Sequence, residues 1–204
     1  MENENNQRKG LKEKQSEQLL KVMRILAKNG NFIDSPGLGD GKMGLAILFY
    51  NFYRIFSLAE YEEYASSLID DIYTEINNET TLDLKKGLTG IGWGIEYLSK
   101  NGFIEGNTDE ILDEIDKTVY SRLASLDYSS DNVLSAESGY DYYLNARRRD
   151  TKLKMEDLDC FIKPLIKCEE IFNVKLLVDS RNYGLFEGLA GIGLMTLEKL
   201  SRRD

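Results

Sequence analysis

Residues Ser35–Arg54 read SPGLGDGKMGLAILFYNFYR. Gly39, Gly41 and Gly44 spell G-x-G-x-x-G, the spacing of a dinucleotide-binding turn, and Gly41-Lys42 looks like part of a phosphate loop. The context contradicts both readings. A dinucleotide turn follows a strand directly, whereas AKNGNFIDSP (Ala27 to Pro36) is full of turn formers and reads as a loop. A phosphate loop needs glycine five residues before its Gly-Lys pair and Ser or Thr after it; Pro36 and Met43 stand there instead.

The same glycines recur along the chain. Gly87–Gly92 reads GLTGIG, Gly188–Gly193 reads GLAGIG, and Gly41–Ala46 reads GKMGLA. The first and last copies also agree upstream, GLGDGKMG (Gly37–Gly44) against GLFEGLAG (Gly184–Gly191), which puts Asp40 and Glu187 in one register. Gly87 follows Gly41 by 46 positions and Gly188 follows Gly87 by 101, about two more periods. A further copy is due near 138, where ESGYDYYLNARRR carries Ser138 and Asp141 in place of the two glycines. Four repeats of about 50 residues, the third degenerate, indicate stacked supersecondary units.

Each repeat reads as two helices. Apolar positions at helical spacing mark amphipathic helices over about 12–28, 59–76, 109–124 and 153–172, with Thr108 as the N-cap of the third and Pro164 breaking the fourth. The glycine-headed helices over about 41–56, 88–100, 139–148 and 188–201 are apolar nearly all round, the mark of buried helices. The expected architecture is all-α: a single domain, 1–204, with an inner layer of four helices wrapped by an outer layer of four, in repeats at 12–56, 59–100, 109–148 and 153–201. Glycine at i and i+3 (Gly41/Gly44, Gly87/Gly90, Gly188/Gly191) leaves a smooth patch where a neighbouring backbone can come close.

Composition narrows the function. The formal net charge of -9 disfavours a nucleic-acid partner, and Arg147-Arg148-Arg149 is too short a basic run to change that, so it reads as a solvated helix end. No run of apolar residues is long enough to span a membrane, and the polar N-terminus lacks a signal-peptide core, so the expected location is the cytoplasm. Cys160 and Cys168, eight apart on an expected helix, would have Cα atoms about 12 Å apart, beyond the roughly 7 Å limit of a disulfide. They read as free, buried thiols. The chain has no histidine, which removes the usual general base and the commonest zinc ligand.

GLTGIGWGIEYL, GLFEGLAGIGLMTL and GLGDGKMGLAILFY, at helix-pair spacing over residues 12–201, resemble the lanthionine synthetase C-like proteins. That resemblance implies an α/α toroid, here a partial one of about four helix pairs matching the N-terminal part of the ring. It implies a link to lantibiotic-type peptide modification, in which zinc held by two cysteines and a histidine activates a peptide thiolate that adds to a dehydrated Ser or Thr. None of those ligands can be placed on this sequence, so the expectation is no cofactor, no metal site and no assigned catalytic residue. The first reading is a non-catalytic peptide-binding or scaffold protein. The alternative is a thioether-forming cyclase that completes its zinc site with a partner chain.

Asp40, Glu137 and Glu187 directly precede inner helices, where a carboxylate gains about 0.3–1 kcal/mol from the positive helix end. Lys86 holds that place in the second repeat. The same four residues, with Trp93 and Glu96 from the inner helices, are the candidates for a peptide-binding mouth. The expected partners are a precursor peptide, a modification enzyme, or a second copy joined through apolar faces left open on the first and fourth units. The absence of histidine generates one expectation at this level: purified protein carries no stoichiometric zinc, and EDTA leaves its Tm unchanged. A drop of many degrees on chelation, followed in a thermal melt, would reject it.

Overall fold

Glycine at the head of an inner helix lets the chain fold back on itself before the helix starts. In a computed structural model describing residues 2–30, 33–125, 139–158, 162 and 182–201, this happens three times in one register. The Lys42 N–H donates to the Ser35 carbonyl (2.9 Å), the Leu88 N–H to Thr81 (2.8 Å) and the Leu189 N–H to Asn182 (3.0 Å), each seven residues back. A Cβ on Gly41 or Gly87 would collide with those same carbonyls of Ser35 and Thr81, and one on Gly188 with the Asn182 amide oxygen. The second glycine of each pair meets the loop three residues before the first: Gly44 against the Leu38 carbonyl, Gly90 against Leu84 and Gly191 against Leu185. The close backbone neighbour is therefore the helix's own lead-in loop. The expected role of spacing one inner helix from the next falls to other glycines. Gly92 receives the Tyr143 ring, Gly94 the Met43 side chain and Gly193 the Leu48 side chain.

The described elements are all helical. They are α1 (Glu2–Asn29), α2 (Lys42–Phe56), α3 (Ala59–Glu75), α4 (Leu88–Lys100), α5 (Thr108–Ile111), α6 (Asp113–Ala124), α7 (Tyr140–Arg148) and α8 (Leu189–Ser201), with a 3-10 turn at Met155–Leu158. The inner helices are α2, α4, α7 and α8; α2 and α4 are buried on almost every side. The outer helices α1, α3 and α5–α6 bury one stripe each, as with Tyr61, Ala65, Leu68, Ile69 and Ile72 of α3. Three local expectations need correction. The first outer helix, expected from about residue 12, begins at Glu2. The third outer helix is capped by Asn107, whose side chain accepts from the Asp109 N–H (3.1 Å), one residue before the expected Thr108. It also breaks at Leu112 into α5 and α6. Of the fourth expected outer helix, 153–172, the described start is irregular and then forms the 3-10 turn Met155–Leu158, while Cys160, Pro164 and Cys168 lie outside the described residues. No described helix is long and apolar enough to cross a membrane.

Packing orders the inner layer as α8, α2, α4, α7. The first inner helix touches both α4 and α8, α4 touches α7, and α8 also lies against α1. The expected open apolar face on the first unit is thus covered. Leu19, Val22, Met23 and Leu26 of α1 are fully buried, and Gly193 of α8 lets Val22 and Leu48 approach its backbone. Burial of side chains of this size is worth about 1.5–3 kcal/mol each. Association through that face loses its basis, because the chain's own fourth unit fills it.

At the end of α4, Gly102 adopts a left-handed conformation (φ 68) with nothing near its absent side chain. The Gly102 N–H donates to Ser99 (2.8 Å) and the Phe103 N–H to Leu98 (2.9 Å), a Schellman cap. Gly102→Ala is therefore expected to cost only the strain of that conformation, about 1 kcal/mol. Gly90→Ala and Gly191→Ala place a carbon on a backbone carbonyl and should cost about 1–3 kcal/mol or more. Urea denaturation of the three variants checks this, and equal small losses would refute the loop-packing account.

Candidate functional site

The fold-back also disposes of phosphate chemistry at the glycines. A helix N-terminus holds an anion with free N–H groups. Here the first-turn donors of α8 already serve the loop, Leu189 to Asn182, Ala190 to Tyr183 and Gly191 to Gly184, and those of α2 begin likewise with Lys42 and Met43. The Lys42 side chain, 8% exposed, is turned towards α3, where its ammonium pairs with Asp71 (3.1 Å) and Glu75. Burial would lower its pKa, but the hydrogen bonds it donates to Glu75 and Asp71 outweigh that and hold it above the usual lysine value. The lysine of the Gly-Lys pair is thus a strut between an inner and an outer helix.

The three lead-in loops stack side by side in the order fourth, first, second. The Leu185 and Phe186 N–H groups both donate to the Gly39 carbonyl (2.6 and 3.1 Å), and the Gly39 N–H donates to Lys85 (2.7 Å). Gly39 has no room for a side chain because Lys85 and Phe186 close on it from both sides. Across this seam the Lys85 ammonium lies 3.1 Å from the Asp40 carboxylate and 3.5 Å from that of Glu187. Desolvation acts to lower the Lys85 pKa, and its pairing with Asp40 and Glu187 raises it further than that.

Beside the seam opens a groove of about 750 Å³, reaching from the end of α1 at Asn29 across the loops. Asp34, Ser35, Asp40, Lys86, Tyr183 and Glu187 line it. Three of the mouth candidates, Asp40, Lys86 and Glu187, therefore come together, although they belong to three different units. Glu137 lies outside the described residues. The sequence reading missed Asp34, Tyr183 and Lys85. Asp34 and Tyr183 sit in loops with no period of their own. Lys85 occupies the register of Gly39 and Phe186, so no repeat pattern marks it.

Trp93 and Glu96 do not belong to a mouth and are corrected. Trp93 is 1% exposed and stacks on Tyr97 inside the inner layer. Glu96, also 1% exposed, sits in a buried ionic cluster. Its carboxylate lies 2.5 Å from one Arg147 nitrogen and 2.6 Å from the Lys100 ammonium, the latter an ion pair too bent to count as a hydrogen bond. Arg147 also reaches Asp116 (2.7 Å) on α6 and Asp109 (2.9 Å) on α5, and the Tyr143 hydroxyl donates to Asp116 (2.6 Å). Burial and then the Asp116 hydrogen bond push the Tyr143 phenol far above its usual value. Burial opposes the charge on Arg147, but Asp116 and Glu96 hold it more firmly than usual. The arginine run is accordingly not a wholly solvated helix end. Arg147 clamps α7 to α4 and the outer helices, Arg148 is exposed, and Arg149 pairs with Asp157 (3.0 Å).

No group of three or more His, Cys, Asp or Glu side chains among the described residues is placed to hold a metal ion. With no histidine in the chain, the zinc site implied by the resemblance does not fit the residues described. The buried cluster generates a stability prediction. Arg147→Met takes the arginine from half-buried Asp116 and leaves buried Glu96 with Lys100 alone, and breaking a buried pair typically costs about 3–5 kcal/mol. Chemical denaturation should show a loss of that order, and a loss under about 1 kcal/mol would mean the cluster is well solvated.

The repeat register, the two helical layers and the glycine-bound loops agree with a comparison against protein families. Residues 32–169, more than half of the chain, match the family described as lanthionine synthetase C-like protein. No curated protein and no solved structure matches the chain. The match begins at the lead-in loop of α2 and stops before α8, so the glycine motif Gly188–Gly193 extends the same register beyond it. The chain belongs to the lanthionine synthetase C-like family.

Proposed function

We propose that this chain is a non-catalytic, peptide-binding member of its family, acting in a cytoplasmic setting as a scaffold for a modified or precursor peptide. The observation that carries the reading is the groove across the lead-in loops, large and polar, with Asp40, Lys86 and Glu187 on its walls. An extended peptide needs a concave surface with scattered hydrogen-bonding groups, and Ser35, Asn29, Asn182 and Tyr183 supply them beside the charges. The chemistry of thioether closure needs a metal-activated thiolate or a general base near neutral pH. The described residues provide no metal cluster, and the chain offers no histidine.

The alternative, a cyclase whose zinc site is completed by a partner chain, differs in one measurable respect. A linear peptide carrying cysteine and dehydroalanine, incubated with the purified protein and zinc, is expected to bind, as followed by fluorescence anisotropy, while its free thiol persists. Loss of the thiol with ring formation, faster than in protein-free buffer and seen by mass spectrometry after alkylation, would establish the cyclase reading instead.

A further inference from the structure

We infer that the groove recognises a cationic side chain of its peptide, and that Lys85 is a tethered occupant of that cation position. The inference rests on the peptide-binding reading and specifies it. The Lys85 ammonium reaches across from the second unit to sit between a carboxylate of the first unit, Asp40, and one of the fourth, Glu187. Its contacts at 3.1 and 3.5 Å are those an incoming lysine or arginine would make. None of the three side chains is deeply buried: Lys85 is 37% exposed, Asp40 30% and Glu187 60%. An ion pair so open to water is weak and exchanges easily with a competing cation.

The rest of the lining favours the same ligand. Asp34 is exposed on the same groove and has no pairing requirement of its own in the seam, so it adds a carboxylate for the incoming group. Tyr183 lines the groove beside them and can offer its hydroxyl oxygen as an acceptor. Lys86 is the single cationic residue among the described lining residues. An anionic ligand would meet Lys86 against three carboxylates, with the α8 first-turn N–H groups and the Lys42 ammonium already committed elsewhere. A guanidinium or ammonium gains from Asp34, Asp40 and Glu187 together once Lys85 swings aside. Lys85 thereby tunes affinity downwards and makes it sensitive to ionic strength.

The test uses the full chain and two short blocked peptides, one carrying lysine and the other norleucine at the same position, titrated by calorimetry at low and high salt. The expected result is tighter binding of the lysine peptide, weakened by salt. Lys85→Met should strengthen it about fivefold, as release of an exposed ion pair would allow. Asp34→Asn should weaken the lysine peptide alone; this exposed residue lies outside the seam pairs, so the test survives if Lys85→Met fails to fold. Equal binding of the two peptides overturns the cation inference and leaves the peptide reading standing. Weaker lysine binding by a folded Lys85→Met protein also overturns it, since Lys85 would then be a structural strut of the site. Failure of wild type and both variants to bind either peptide overturns the inference and the peptide reading together.

Discussion

A helix begins with N–H groups that have no partner within it, and three inner helices of this protein meet that need by the same fold-back of the chain. The donor at the first helical residue reaches a carbonyl seven residues earlier, at Ser35, Thr81 and Asn182. Two glycines, one before the helix and one in its first turn, make room for that loop. An interior glycine costs about 1 kcal/mol against alanine. Here the cost is offset locally, because capping satisfies orphan donors that would otherwise be buried among the apolar residues of α2 and α4. The loops then lie flat across the inner helix ends, and their carbonyls and N–H groups become available to one another. That is how Gly39 comes to bond both the fourth unit and the second.

The third unit shows what happens without the glycine pair. Its helix α7 follows a single glycine, Gly139, in a left-handed conformation. Its position is set by side chains instead. Tyr143 enters the gap left by Gly92, and Arg147 gathers Glu96, Asp116 and Asp109 from three other helices. Replacement of a backbone lock by a buried ionic cluster changes the consequences of mutation. A glycine substitution displaces a loop, whereas removal of the arginine leaves buried Glu96 to Lys100 alone and half-buried Asp116 without its cation. Each device fixes an inner helix, but the ionic one carries a desolvation cost that only complete pairing offsets.

What was legible in the sequence followed from periodicity. The Gly41/Gly44, Gly87/Gly90 and Gly188/Gly191 register located the inner helices and separated this fold from a nucleotide-binding one, because the residues before Gly39 are loop formers. The same register brought Asp40, Lys86 and Glu187 to one end of the inner layer, since each stands just before its helix. Periodicity does not report which way a polar side chain on an all-buried helix turns. Glu96 faces inwards because Arg147, 51 positions later, is there to receive it. Nor does a repeat reveal where its last copy docks. The placement of α8 against α1 and α2 depends on small surfaces, Gly193 beneath Val22 and Leu48 and Gly44 beneath Leu185, that look alike in any order of packing.

That docking gives the groove its particular character. Its walls come from Asp34 and Asp40 in the first unit, Lys86 in the second and Glu187 in the fourth, so it exists only while the fourth unit sits on the first. The seam is held by two hydrogen bonds to Gly39, the Lys85 bridge and the apolar contact of α8 with α1 and α2. A ligand that touches both sides of such a seam binds the closed form alone and stabilises it by RT ln(1 + [L]/Kd). The reverse also holds: a substitution at Val22 or Gly193, neither of which lines the groove, would weaken binding by raising the population in which the seam is open. Lys85 acts on both sides of this balance, because removing its charge frees Asp40 and Glu187 for a ligand while subtracting one tie from the seam. An ion pair this open to water adds little to closure beside the other ties, so the local gain dominates its effect on affinity, and the exposed Asp34, outside the seam pairs, reports the recognition of charge separately.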